Sequence, residues 1–293
     1  AIIAGTIETL QYGQVTINAG DETITSIALD GDDDATVSGA NDANILIVGT
    51  NDIVAINGTT GIANLAISAN EVTAATTLTG AAVEITATGG VADLDSVQAA
   101  AGATLTAAGA LTIDGALAGN TTAGAGNDVT LKGTTITATS TIAGDDITIE
   151  ATNDATAAPS VITGTVTAAN DITFNGGNID LTDDVVAGGD IAISAGSVTT
   201  ATGKDLTAAT GSITITGATP VTVTGAGITT ARDGVLITSS CDVDLGGGFT
   251  GTVISGAAAT GKLNVDTAGG TGAMTIITGS GNDTVDLDVA QKH

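Results

Sequence analysis

The run Thr278-Gly279-Ser280-Gly281-Asn282-Asp283-Thr284-Val285-Asp286 places two glycines around a serine and follows them with carboxylates at Asp283 and Asp286. Glycines at that spacing permit a tight turn, and turn carbonyls with Asp oxygens are the hard donors that Ca²⁺ takes. The run fits the calcium nonapeptide pattern Gly-Gly-x-Gly-x-Asp-x-U-x at every fixed position but the first, held by Thr278. A second acidic group, Asp30, Asp32 and Asp34, begins like an EF-type calcium loop, but Ala35 stands at position six and Asn41 at position twelve, so that motif fails. The cluster reads as a calcium site of another kind, usable for bridging between subunits, or as a solvated acidic turn. Calcium is thus the expected ion, and Asp30, Asp32, Asp34, Asp283 and Asp286 are its candidate ligands.

A third arrangement of carboxylates comes from repetition. Asp128-Val129-Thr130-Leu131, Asp146-Ile147-Thr148-Ile149, Asp171-Ile172-Thr173-Phe174 and Asp190-Ile191-Ala192-Ile193 repeat one phrase, and Ser212-Ile213-Thr214-Ile215 and Gly234-Val235-Leu236-Ile237 repeat it more loosely. If successive copies stack in register, their Asp residues form a column about 4.8 Å apart, the spacing between strands. Charges that close repel by about 1 kcal/mol even in water. A bridging cation would offset this, and so would hydrogen bonds to turn amides.

Residues suited to catalysis are scarce. His293 is the sole histidine, Cys241 the sole cysteine, and no Gly-x-Ser-x-Gly occurs. The strongest catalytic arrangement sets Asp242 and Asp244 on one face of a strand with Arg232 half a coil earlier, which resembles a calcium-dependent polysaccharide lyase. Anionic polysaccharides favour a basic cleft and neutral ones aromatic platforms, and this chain offers neither. The expectation is a protein that is not an enzyme, with catalytic residues none.

The elements carrying these residues follow from the phrase. Each copy alternates apolar and polar behind a turn residue, the period of a half-buried strand. The starts are separated by 18, 25, 19, 22 and 22 residues, a solenoid spacing, and such a unit buries its inner face only against the next copy. The predicted fold is all-β: a parallel β-helix, or β-solenoid, with irregular terminal β modules. Val129, Leu131, Ile147, Ile149, Ile172, Phe174, Ile191, Ile193, Ile213, Ile215, Val235 and Ile237 should point inward, and Thr130, Thr148, Thr173 and Thr214 outward. Asp95 to Ala101, closed by Gly102, is the one helical candidate. Further strands are expected at Gln14–Asn18, Thr23–Leu29, Ile45–Val48, Ile53–Ile56, Leu65–Ile67, Val83–Ile85 and Leu111–Ile113, and an extra loop at Asn153–Ser160, which holds Pro159. The organisation reads as an N-terminal β/assembly module at 1–42, the solenoid at 43–241 and a Gly/Asp-rich β module at 242–293.

Composition agrees. Apolar residues make up 42% of the 293, aromatic residues only 1%, as suits a narrow bore filled by Val, Ile, Leu and Ala. The net charge is −27, and 27 of the 32 acidic residues are Asp. That charge argues against nucleic acid or an anionic membrane surface as partner and favours cations. No apolar run approaches the roughly 18 residues of a membrane span. The start, Ala1-Ile2-Ile3-Ala4-Gly5, lacks Met and a basic signal region, as expected of a processed chain or a piece of a longer one.

Val185-Val186-Ala187-Gly188-Gly189-Asp190-Ile191-Ala192-Ile193-Ser194-Ala195-Gly196 and its neighbours, over about 119–240, resemble the repeats of filamentous-haemagglutinin-type β-helical exoproteins. The resemblance implies a right-handed parallel β-helix on a bacterial cell surface, although the chain lacks that family's amino-terminal secretion domain. The nonapeptide is similar to the RTX repeats of secreted and surface-layer proteins, which normally occur in consecutive copies. Together these imply an extracellular structural protein, the self-assembling subunit of a surface layer, sheath or filament, stabilised by calcium. Its partners would be copies of itself, with a cell-surface glycan or other matrix components as further partners. The alternatives are the stalk or passenger of a large β-helical adhesin and, third, the lyase.

Overall fold

The computed structural model describes residues 3–9, 14–20, 24–31, 43–49, 53–60, 62–119, 126–152, 159–201, 204–216, 221–223, 226–230, 234–238, 242–246, 249–250, 253–267 and 274–287. The chain divides into two compact units, Ala1–Asp145 and Asp146–His293. Each is a stack of parallel strands forming a β-solenoid, and no helix occurs among the described residues.

In the first unit one ladder runs through Gln14–Gly20, Ala43–Gly49, Ile62–Ala69, Ala82–Ala87, Ala103–Ala107 and Val129–Gly133. A second runs through Ile3–Thr9, Ile24–Gly31, Ile53–Thr60, Glu71–Ala74, Ala92–Leu94, Leu111–Ile113 and Ile136–Ala138. A third face starts later, with Leu78–Gly80, Val97–Ala99, Leu117–Gly119 and Ile142–Gly144. Strands before residue 42 therefore join the same ladders as those after it. The register stacks like on like: Ile67, Ile85, Leu105 and Leu131 follow one another and are all buried. An inner position between two such rungs excludes water on every side, and burying a side chain of that size stabilises by about 1.5–3 kcal/mol.

The second unit repeats the plan. Its first face stacks Ile147–Ala151, the start of Ile172–Leu181, the start of Ile191–Thr200, Ile213–Ile215, Val235–Ile237, Val253–Ser255 and Thr275–Ile277. The second face pairs Ser160–Ile162 with the latter half of Ile172–Leu181 and that half with the latter half of Ile191–Thr200, and then Val221–Val223, Val243–Gly246, Leu263–Asp266 and Thr284–Asp286 with one another. Val166–Ala168, Val185–Ala187, Lys204–Ala208, Ala226–Thr230 and Phe249–Thr250 make the third.

All twelve apolar residues expected inside are buried in their units. Thr130, Thr148, Thr173 and Thr214 lie outside, half-buried against rung neighbours. The expected helical turn at Asp95 to Ala101 is corrected: Val97–Ala99 is a strand with Val97 and Ala99 buried and Gln98 exposed. Local composition allowed a turn of helix there, but Val97–Ala99 pairs on both sides, with Leu78–Gly80 and Leu117–Gly119, and that pairing prevails. Pro159 is exposed at the edge of a strand that begins at Ser160, while residues 153–158 of the expected loop lie outside the described residues.

Phe174 is the one aromatic side chain in the described core, wholly buried between Ile149 and Ile193. A Phe174→Ala variant should lose about 3–5 kcal/mol, read as a lowered midpoint in urea unfolding, whereas Thr173→Ala on the same strand should change it little.

Candidate functional site

A carboxylate at the turn before a strand stands next to the first unpaired amide of the adjacent coil, and the second unit uses this repeatedly. Asp146 Oδ1 accepts the Asp171 N–H at 2.9 Å, Asp171 Oδ1 the Asp190 N–H at 2.7 Å, and Asp190 Oδ1 both the Ser212 N–H at 2.7 Å and its hydroxyl at 3.1 Å. The same turn residues accept in return. Ile147 N–H donates to the Asp171 carbonyl, Ile172 N–H to that of Asp190, and Ile191 N–H to that of Ser212, at 2.9 to 3.0 Å. Each junction is thus a two-point clamp between coils, one bond through the side chain and one through the backbone. The looser phrase openings, Ser212 and Gly234, stand where the carboxylate series ends.

The clamp also explains the glycine before the phrase. A Cβ on Gly189 would collide with Asp171 Oδ1, and one on Gly211 with Asp190 Oδ1. Gly189-Asp190 and Gly211-Ser212 are therefore coupled choices: the glycine leaves room for the carboxylate below while the next residue supplies the amide it binds. A hydrogen bond to an ionised acceptor contributes roughly 1–3 kcal/mol, which covers the repulsion of about 1 kcal/mol between neighbouring carboxylates in water.

Other turns use the same chemistry. Asp184 Oδ1 accepts the Asp205 N–H and Asp242 Oδ1 the Lys262 N–H, both at 2.9 Å. In the first unit Asp145, only 2% exposed, accepts the Gly126 N–H at 3.0 Å while its own N–H donates to the Asn127 carbonyl. The column was legible in the repeated phrase, but Asp145, Asp184 and Asp205 lie outside it. Their signal was weaker, a turn Asp followed or preceded about one coil away by another turn residue.

Of the five candidate calcium ligands, three lie among the described residues. Asp30 is the last residue but one of strand Ile24–Gly31, in register with Glu8 and Thr60; Asp32 and Asp34 lie outside the described residues. Asp283 Oδ1 accepts the Leu263 N–H at 2.9 Å, reaching back to the preceding coil, and Asp286 is exposed in register with Asp266. Gly279 and Gly281 are where a Cβ would strike the carbonyls of Ala259 and Gly261, so both glycines answer to close backbone approach between coils. Among the described residues no three acidic, His or Cys groups come together as a metal cluster.

Asp242 precedes strand Val243–Gly246, and its carboxylate clamps Lys262; Asp244 lies in the strand between Thr222 and Asn264. Arg232, Cys241 and His293 are outside the described residues. A groove of about 290 Å³ in the first unit is lined by Glu84 and Asp128 with Leu65, Thr104 and Gly126. Its two ionisable groups are both carboxylates, a wall that repels an anionic glycan.

One cation has an evident place. Lys204 Nζ pairs with Asp183, whose carboxyl also accepts the Asp184 N–H at 3.0 Å and the Thr165 hydroxyl at 3.4 Å. The ammonium, aided by the Asp184 amide, holds Asp183 below its ordinary 3.8 against a small effect of burial, and the hydrogen bond from Asp183 holds Lys204 above its ordinary 10.5.

The chain matches no protein-family model, no curated protein and no solved structure.

Two expectations follow. Asp171→Ala should destabilise by about 1–2 kcal/mol in urea unfolding, while Asp171→Asn, which keeps an acceptor and removes a charge from the column, should lose less than half of that; equal losses would show the charge, and not the bond, to matter. For Asp183, depressed in the folded state, the stabilisation is present above pH 3.8 and is lost as pH falls through the lower folded value. Carbon-detected NMR titration should find Asp183 ionising below the free value in the native protein and close to it in Lys204→Ala.

Proposed function

We propose that the protein is an extracellular, self-assembling structural subunit of a surface layer, sheath or filament, with calcium as counter-ion to its acidic walls. The observation that carries this reading is the last described rung. The inner column of the first face passes from Ile254, 2% exposed, to a half-exposed Ile276, and that of the second from Val265, 2% exposed, to Val285 at 37%. Ile277 at 44% and Leu287 at 61% stand beside them. Solenoid ends and strand edges that stay monomeric are ordinarily covered, or blunted with Lys, Pro or bulges. Strands Thr275–Ile277 and Thr284–Asp286 carry no Lys, Pro or bulge, and Asp286 is their one charge.

The rest of the molecule suits a scaffold. Clamped coils stiffen the second unit, and a net charge of −27 keeps copies of the chain from clumping until divalent cations screen or bridge them. In this reading Asp283, Asp286 and the Asp30, Asp32 and Asp34 group are the acidic positions at which calcium joins subunits. Each Asp clamped through Oδ1 keeps its second oxygen for such a role.

Electron microscopy and light scattering of the purified chain, with calcium and with chelator at matched ionic strength, test both parts. Ordered sheets or fibres should form, and chelation should shorten or dissolve them. Assembly indifferent to chelation would remove calcium from the reading, and a chain that remains monomeric at high concentration in calcium would favour the adhesin stalk instead.

A further inference from the structure

Resting on the reading of an extracellular protein, we infer that Asn282 is an attachment site for an N-linked glycan. The chain carries three Asn-x-Ser/Thr tripeptides, the acceptor signature for glycosylation of an exported protein: Asn57-Gly58-Thr59, Asn120-Thr121-Thr122 and Asn282-Asp283-Thr284. The structure separates the first from the last. Asn57 lies within strand Ile53–Thr60, which is paired on both edges, with Ile24–Gly31 and Glu71–Ala74, so its backbone is held in the wall of the stack. Asn120 and its two threonines lie outside the described residues. Asn282 stands in the turn that joins Thr275–Ile277 to Thr284–Asp286, in neither strand, and the second of these is the edge of its sheet among the described strands.

The turn presents the acceptor pair. Asn282 and Thr284 are exposed, and Asp283 between them is half-buried, its Oδ1 accepting the Leu263 N–H at 2.9 Å. An extended run puts residues two apart on one side. The amide that would take the sugar and the hydroxyl that a transferase recognises therefore face solvent together, while Asp283 ties the run to the coil beneath. Gly279 and Gly281 press on that same coil, where a Cβ would strike the carbonyls of Ala259 and Gly261, so the solvent side of the turn is left to Asn282. Asn282 also occupies a variable position of the nonapeptide pattern, and a glycan there displaces neither Asp283 nor Asp286. The reaction joins Asn282 Nδ2 to the anomeric carbon of a sugar carried as a glycosyl pyrophosphate ester. The C–N bond forms as the C–O bond to the pyrophosphate breaks, the pyrophosphate leaves with that electron pair, and the amide gives up one proton; a separate glycosyltransferase supplies the catalysis.

Mass spectrometry of the chain recovered from the cells that make it tests the assignment. Cleavage after lysine and arginine releases residues 263–292, in which Asn282 heads the one acceptor tripeptide. That peptide should carry the added mass of a sugar chain, and peptide N-glycosidase should remove it and leave an aspartate at position 282. Expressed in the same cells, Asn282→Gln and Thr284→Ala should both lose the added mass with β circular dichroism unchanged, since both side chains are exposed; Thr284→Ser, which keeps the hydroxyl, should retain it. Added mass that persists in Asn282→Gln would place the sugar on a hydroxyl and overturn the site, as would a sugar on Asn57 with Asn282 bare. Fractionation of the same cells keeps the two readings apart. An unmodified peptide from a chain found outside the cell overturns the glycan site and leaves the extracellular reading standing, whereas an unmodified chain found only inside overturns both.

Discussion

A rung of this protein has no inside of its own. Three or five residues of strand expose their apolar side chains to water unless another rung lies above and below, so parallel pairing at the inter-strand spacing is the constraint from which the rest follows. Inner positions hold Val, Ile, Leu and Ala, because a bore two or three short strands around has little room for rings, and Phe174 is admitted between two isoleucines. Outer positions are left to Thr and to carboxylates, which keep a β-rich surface soluble.

The same constraint decides what the acidic residues do. Stacking identical turns brings identical charges together, a cost that grows with every coil. The second unit meets it by turning each carboxylate onto an amide of the next coil, so the residue that generates the repulsion also supplies the bond that offsets it. Lys204 deals with the Asp183 and Asp184 pair in a different way, by a direct ion pair at a half-exposed turn. What remains is a strongly negative exterior whose natural complement is a cation.

A stack closed by its neighbours must also end somewhere. Within the second unit each inner column stays dry as far as Ile254 and Val265 and opens to solvent one rung later. Of the residues weighed for catalysis, Asp242 clamps a neighbouring coil, and the groove in the first unit is walled by carboxylates.

The sequence by itself determined the class of fold, since a period-2 phrase recurring every 18 to 25 residues admits one economical packing, and it determined which side chains face inward, because a slip of one residue would turn every one of them out. It also set the Asp column beside its two possible remedies, cation or amide. Only the tertiary structure chose between strand and helix at Asp95 to Ala101, where partners on both sides outweigh local composition. It alone revealed that Gly189 and Gly211 make room for the carboxylates of Asp171 and Asp190, and that Asp283 reaches back to Leu263. These depend on which residue lies one coil away, and with coils of unequal length that neighbour is fixed by register in space and cannot be counted off along the chain.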